Sequence, residues 1–380
     1  MKICAIICEY NPFHNGHLYQ LQEAKRRSGA DALLCIMSGN FVQRGEAAIM
    51  DKYTRAKHAV LAGADAVVEL PTVFATSNAE LFAKGGIKLL SSIPAVTTLC
   101  FGAEKENKNA FLQAATLLNN EPKEVSDAIK ALVKTGVSYA KARAIAYQDL
   151  LDNELINSPN NILGIEYTRA LLAMQSGVEI LPIQRVGGGY KENELQQEFS
   201  SATAIRSAIE NGTPIDKQLP AFVEKDLPKR LCERLETLEK YALLSKNRAD
   251  IAKTCDCTEG LENALQKTAE SGEPLVETLT SARYTASRIR RIALQNLLNI
   301  EENLIRDCLQ SPLYLRVLAV KKERSDVLSA LGESDYPIIA RAHDENCLLG
   351  AAKRSFERDT FAEKTYSLLY PQKTNKNIFI

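Results

Sequence analysis

The sequence predicts an α/β fold, a doubly wound parallel sheet followed by a mainly helical domain, on three observations. Short apolar runs alternate with longer stretches of helical periodicity through the first half, the order expected of βαβ units around a parallel sheet. The first run passes directly into a polar turn and a helix start, and ligands of doubly wound sheets sit outside the carboxyl ends of such strands. The alternation stops at Asn211-Gly212-Thr213-Pro214, a turn-forming tetrad that separates a domain of residues 1–212 from one of residues 213–380.

Strands are expected at residues 2–8, 31–37, 65–70, 96–101 and 178–183. The first of these is stopped by Glu9 and Asn11-Pro12, and it lacks the longer apolar core and small-residue cleavage site of a signal peptide. Helices are expected at about 15–28, 52–63, 76–92, 105–151 in two or three pieces, and 160–177. Beyond the boundary, periodic leucines at 231–244 and an apolar period at 289–298 read as helices. Two late apolar runs, 314–320 and 336–340, read as short strands.

The 380 residues suit two or three domains of about 100–200 residues each. An apolar fraction of 45% and a charged fraction of 25% exclude wholesale disorder and fibrous repeats. Lysine plus arginine equals aspartate plus glutamate at 47 each, so a basic partner surface has to be local. No run approaches the roughly 18 apolar residues that a membrane span needs. Nine cysteines, several inside apolar runs, read as reduced thiols in the cytoplasm. Cys255-Asp256-Cys257 has no second cysteine pair or close histidine, so it reads as solvated helix-end cysteines rather than a zinc site.

The local sequence with most chemical content is Glu9-Tyr10-Asn11-Pro12-Phe13-His14-Asn15-Gly16-His17, which follows a strand and opens a helix. Helix-start amides and the positive end of the helix dipole favour an anion there. Gly16 is read as allowing close approach to it, and His14 and His17, two of only four histidines, fall on one helix face. A third ligand at metal-site spacing does not follow. Ser200 or Ser201 can cap a second helix whose first turn faces phosphate, with Arg206 one turn on as a delocalised cation. The segment from Met37 to Glu46, with Lys52 and Arg55, makes a second wall.

His14-Asn15-Gly16-His17 resembles the HxGH signature of the nucleotidyltransferase superfamily, which class I aminoacyl-tRNA synthetases share in variant form. The resemblance implies a HUP-like domain whose histidines contact ATP phosphates and stabilise the charge that develops as pyrophosphate leaves. Ser201-Ala202-Thr203-Ala204-Ile205-Arg206 resembles the Ser-Ser-Thr-x-Ile-Arg element that closes such domains, with alanine in place of its second serine. The longer set, with Ser38-Gly39-Asn40-Phe41-Val42-Gln43-Arg44-Gly45-Glu46 and Glu69-Leu70-Pro71 in order, resembles the bacterial tRNA(Met) cytidine acetate ligases.

That family resemblance implies activation of acetate by ATP to acetyl-adenylate. The acetyl group then passes to N4 of the wobble cytidine, position 34, of elongator tRNA(Met), with AMP and pyrophosphate released. Magnesium is expected on the triphosphate, and neither DNA nor a membrane is expected as a partner. Carried over by motif, the ATP site comprises Ile7, Cys8, Glu9, Tyr10, Asn11, Pro12, Phe13, His14, Asn15, Gly16, His17, Leu18, Tyr19 and Gln20. It further includes Gly102, one of Asn160 and Asn161, Arg185, Ser201 and Arg206, with His14, His17 and Arg206 as the catalytic set.

The residues themselves support several of these roles. Gly102 ends a predicted strand where backbone meets a ligand. Asn160 or Asn161 caps a helix or reads the adenine edge, and Arg185 follows the last strand toward the phosphates. In the helical domain, Arg283, Arg288, Arg290 and Arg291 with Tyr284 form either a footprint for a tRNA backbone or a solvated helix face. Two other functions fit the first domain: a small-molecule adenylyltransferase, and a non-catalytic ATP- or RNA-binding protein. The residues alone fix neither the acid nor the tRNA identity, nor which histidine dominates.

Overall fold

A computed structural model of the chain describes residues 1–186, 195, 199–215, 217–229, 231–371, 376 and 378–380. Its strands are β1 (Ile3–Cys8), β2 (Ala32–Ser38), β3 (Phe41–Val42), β4 (Glu46–Ala47), β5 (Ala66–Leu70), β6 (Val96–Ala103), β7 (Glu179–Gln184), β8 (Leu315–Val320) and β9 (Ile338–Ile339). Seven of them form one sheet in the order β7-β6-β1-β2-β5-β8-β9, while β3 and β4 form a small antiparallel hairpin. All pairs in the large sheet are parallel except β5 with β8.

Residues of β1 divide alternately between two buried clusters, Ile3, Ala5 and Ile7 in one and Cys4, Ile6 and Cys8 in the other. Strand geometry sends successive side chains to opposite faces, so a run buried throughout means a sheet covered on both sides. One face carries helices Asn15–Ser28, Lys52–Leu61 and Ala202–Glu210 through residues such as Leu21, Ala56 and Ile205. The other carries Ala79–Ser91, Lys108–Asn119 and Pro159–Ala173 through Phe82, Phe111 and Ile165. From β1 the chain winds outward through β2 and β5, then crosses back to place β6 and β7 on the far side of β1. That reversal makes the carboxyl end of β1 the switch point, where doubly wound sheets open a crevice.

The five expected amino-terminal strands form within a residue or two of their predicted bounds, and the region 105–151 folds as Lys108–Asn119, Lys123–Lys134 and Tyr139–Tyr147. Past residue 213 the architecture is not uniformly helical. Helices Leu235–Leu244, Leu261–Ser271 and Ala286–Leu297 enclose a core of Leu243, Ile251, Leu265, Ile289 and Ile292. The chain then returns to the sheet, where β8 pairs with β5 (Ala66 opposite Val320) and β9 extends it. The backbone of β8 pairs with groups that β5 would otherwise leave unpaired at the sheet edge, so the sheet runs across the boundary placed at residue 212. Cys257, read from sequence as solvated, is 6% exposed within the helical core, because its turn is folded under helix Ala286–Leu297. All nine cysteines are free thiols.

Candidate active site

A cleft of about 460 Å³ opens at the carboxyl ends of β1, β6 and β7, floored by Ile7, Cys8, Gly102 and Ile183. The loop after β1 is held in a demanding shape. Tyr10 takes a left-handed φ of 50°, which costs a bulky residue roughly 1–2 kcal/mol. Its ring offsets this by burial, edge-on to Phe13 at 4.9 Å and to His17 at 4.8 Å. The Asn11 side-chain oxygen accepts from the Ile49 amide at 2.9 Å. The fully buried Arg55 guanidinium donates to the carbonyls of Glu9, Gly39 and Met50, binding the loop after β1 to the loop after β2.

His14 is the N-cap of helix Asn15–Ser28: its Nδ1 accepts from the Gly16 amide at 3.1 Å. His17 reciprocates, its Nδ1 accepting from the His14 amide at 3.3 Å, and the rings stack with centroids 3.7 Å apart. A nitrogen that accepts carries no proton, so each neutral ring bears its hydrogen on Nε2, the nitrogen left to meet a ligand. Burial lowers the His14 pKa to about 3, with Arg185 and Arg206 adding to the effect. Burial lowers His17 well below the ordinary range too, followed by His14 and Arg185. The pair is therefore a neutral double donor at physiological pH. The Gly16 hydrogen also serves this geometry, because a Cβ there would lie 2.9 Å from His14 Cε1.

Cations surround the pair. Arg206 donates to the Asn11 carbonyl at 2.8 Å and pairs loosely with Glu46 at 3.8 Å. Arg185 crosses Gly102, where a Cβ would meet its Cγ at 3.4 Å, and faces Glu104 at 3.7 Å. Ser201 caps helix Ala202–Glu210, its hydroxyl accepting from the Ala204 amide at 3.1 Å. Glu9 is a half-buried acid of the cleft, accepting from the Gln43 amide at 2.7 Å; burial raises its pKa.

Most of the sequence-predicted site lines one cavity: Ile7 to Asn11, His14, Gly16, His17, Tyr19, Gln20, Gly102, Asn160, Arg185, Ser201 and Arg206. Five residues fall outside it. Pro12, Phe13 and Leu18 belong to the loop and the core beneath, and Asn15 is bonded to the carbonyls of Lys217 and Gln218. Asn161 is fully buried, bridging the Glu104 amide and the Glu154 carbonyl, so Asn160 is the asparagine at the cleft.

The four arginines of the helical unit do not form one free stripe. Arg288 is turned inward onto the Asp256 carbonyl and Thr258, and Arg291 is mostly buried near Asp256. Arg283 is exposed and paired with Glu259 at 2.9 Å, while Arg290 reaches Glu46 at 3.3 Å on the cleft wall. Arg44 and Glu46, from the segment expected as a second wall, line the cleft with Thr203 of the Ser201–Arg206 motif. No site role was expected of Glu104, whose carboxylate accepts from the Asn160 side chain at 2.6 Å and its neighbour's amide at 3.2 Å. Only its place on the loop after β6 pointed to Glu104.

A stacked pair of neutral histidines flanked by arginines, at the switch point of a doubly wound sheet, defines a nucleotidyl-transferring site. The family model for HIGH nucleotidyl transferases matches residues 1–378, and the chain belongs to that family. Among its relatives, the tRNA(Met) cytidine acetate ligase of Thermoanaerobacter sp. (strain X514) is 39% identical over 386 residues, covering 97% of this chain and 96% of that protein. The crystal structure of Thermotoga maritima TmcAL (apo, form I) is 29% identical and superposes with a TM-score of 0.88 over 100% of this chain and 98% of that one. Form II of that protein, bound with alpha-thio ATP, gives 0.86 at 29% identity over 99% and 97%.

Proposed function

We propose that the protein is an ATP-dependent ligase that forms N4-acetylcytidine at position 34 of elongator tRNA(Met). Acetate attacks the α-phosphorus of ATP, pyrophosphate leaves, and the cytidine amine takes the acetyl group from acetyl-adenylate with release of AMP. One observation carries this: the locked Nε2–H pair of His14 and His17 stands beside Arg185 and Arg206, in a chain similar over its whole length to ligases of that name.

Nε2–H donors and guanidinium groups aimed at the leaving phosphates stabilise charge that exists only as the bond to pyrophosphate breaks. Because the histidines are neutral, they stabilise by donating hydrogen bonds, and proton release plays no part. Asn160 and Arg185, both held by Glu104, orient the nucleotide half of the cleft.

Glu9 is committed to the Gln43 amide and Glu46 lies between two arginines. Among the described residues no three His, Cys, Asp or Glu side chains gather to hold a metal. Such donors fit a magnesium ion that arrives on the triphosphate and keeps phosphate and water ligands, shielding phosphate charge when bound. The tRNA backbone is proposed to meet Arg283 and Arg290, the most accessible members of the arginine group. The setting is the cytoplasm, where this tRNA is processed; no helix among the described residues is long and apolar enough to cross a membrane.

The test is exchange of labelled pyrophosphate into ATP as a function of acetate, with and without tRNA. Exchange that requires acetate supports the ligase. Exchange that ignores acetate but responds to a mononucleotide or sugar phosphate would instead make it a small-molecule adenylyltransferase, and ATP binding with no exchange would make it a sensor.

A further inference from the structure

The cleft has a second half that the nucleotide groups leave open. His14, His17, Gly102 and Arg185 stand at the ends of β1, β6 and β7, whereas Arg44 comes from the β3–β4 hairpin, which follows β2 on the other side of β1. There the Thr203 hydroxyl oxygen accepts from Arg44 Nη1 at 3.2 Å and from Arg206 Nη2 at 3.4 Å. Each guanidinium carries five N–H donors, and both converge on one neutral oxygen. Among the described residues Arg44 pairs with no carboxylate, and Arg206 has only the loose contact to Glu46.

We propose that Arg44 and Arg206, meeting at Thr203, form the subsite that holds the carboxylate of the acid substrate. This rests on the ligase reading above and adds to it the place of the acid. A small monocarboxylate there exchanges a neutral acceptor for an anionic one and gains charge-assisted, two-pronged hydrogen bonds. Arg206 lowers the pKa of His14 on one side and, with Arg44, acts on Glu9 on the other, so it spans both halves of the cleft.

The chemistry then runs across β1. One carboxylate oxygen forms a bond to the α-phosphorus. The bond from that phosphorus to the oxygen bridging toward the β-phosphorus breaks, and its electron pair departs on pyrophosphate toward His14, His17 and Arg185. No proton is transferred. The second carboxylate oxygen stays on Arg44, which keeps the acyl group in place.

The experiment is steady-state kinetics of the complete reaction, with ATP, magnesium, tRNA and acetate each varied, for the full chain and Arg44→Ala. Arg44 is exposed, and an unchanged melting temperature verifies that the variant folds. The acetate KM is expected to rise at least about tenfold, as befits loss of a charged hydrogen-bond donor. ATP and tRNA KM values should stay within about twofold, and Arg44→Lys should recover part of the acetate KM. An unchanged acetate KM, or a rise confined to the tRNA KM, overturns the subsite and makes Arg44 a phosphate contact. If the wild-type protein itself turns over no acetate, the ligase reading falls as well.

Discussion

Replacing His14 by asparagine tests the central electrostatic feature of the site without touching substrate. Asparagine keeps a side-chain oxygen to cap helix Asn15–Ser28, so the helix start survives. His14 titrates at about 3 when folded, against an ordinary 6.5. Below pH 6.5 the unfolded chain therefore binds a proton that the folded one refuses, and stability falls as pH drops toward 3. The slope is about 1.4 kcal/mol per pH unit, and the loss reaches about 3 kcal/mol by pH 4. Urea unfolding at pH 7, 6, 5 and 4 should show the wild type losing about that much more than His14→Asn. Nitrogen-15 imidazole spectra of the wild type should show His14 and His17 neutral at pH 6, with the proton on Nε2. Parallel stability curves, or a His14 midpoint near 6.5, would refute the locked neutral pair.

His17→Ala should leave the fold intact and lower acetate-dependent AMP formation by about 10²-fold or more, checked by turnover and circular dichroism; normal turnover would remove the phosphate role. Arg185→Ala should weaken ATP binding with no tRNA present, because its side chain crosses Gly102 and carries its charge into the nucleotide half; equilibrium dialysis with an ATP analogue checks it. Arg283→Ala with Arg290→Ala should flatten the salt dependence of tRNA binding by roughly one unit of slope per lost phosphate contact. Arg288→Ala should mainly lower the melting temperature, because that side chain secures the turn at Asp256 and Thr258.

The fold's amino-terminal half was legible because its strands are buried on both faces and so read as unbroken apolar runs bounded by turn residues. The return of β8 to that sheet was not, because an antiparallel partner more than 240 residues from β5 leaves only a short apolar run as its local signal. The histidine pair was legible as a motif, but its tautomer depends on the two Nδ1 contacts, which only the helix-cap geometry reveals. Asn160 and Asn161 were indistinguishable in sequence. Helix phase separates them, turning one into the cleft and the other beneath Glu104. The arginine group at 283–291 has the composition of a nucleic-acid surface, yet the turn at 256–259 offers carbonyl and carboxylate partners that draw two of its members inward. Arg44 was legible as part of a second wall, but its meeting with Thr203 was not, because that partner is 159 residues away.

The most direct measurement is mass spectrometry of tRNA nucleosides after incubating the protein with ATP, magnesium, carbon-13 acetate and unmodified elongator tRNA(Met). N4-acetylcytidine at position 34 is expected to carry the label, with AMP and pyrophosphate formed in equal amounts. Pyrophosphate release with the adenylyl group retained on a small molecule, and no labelled cytidine in the tRNA, would contradict the ligase reading.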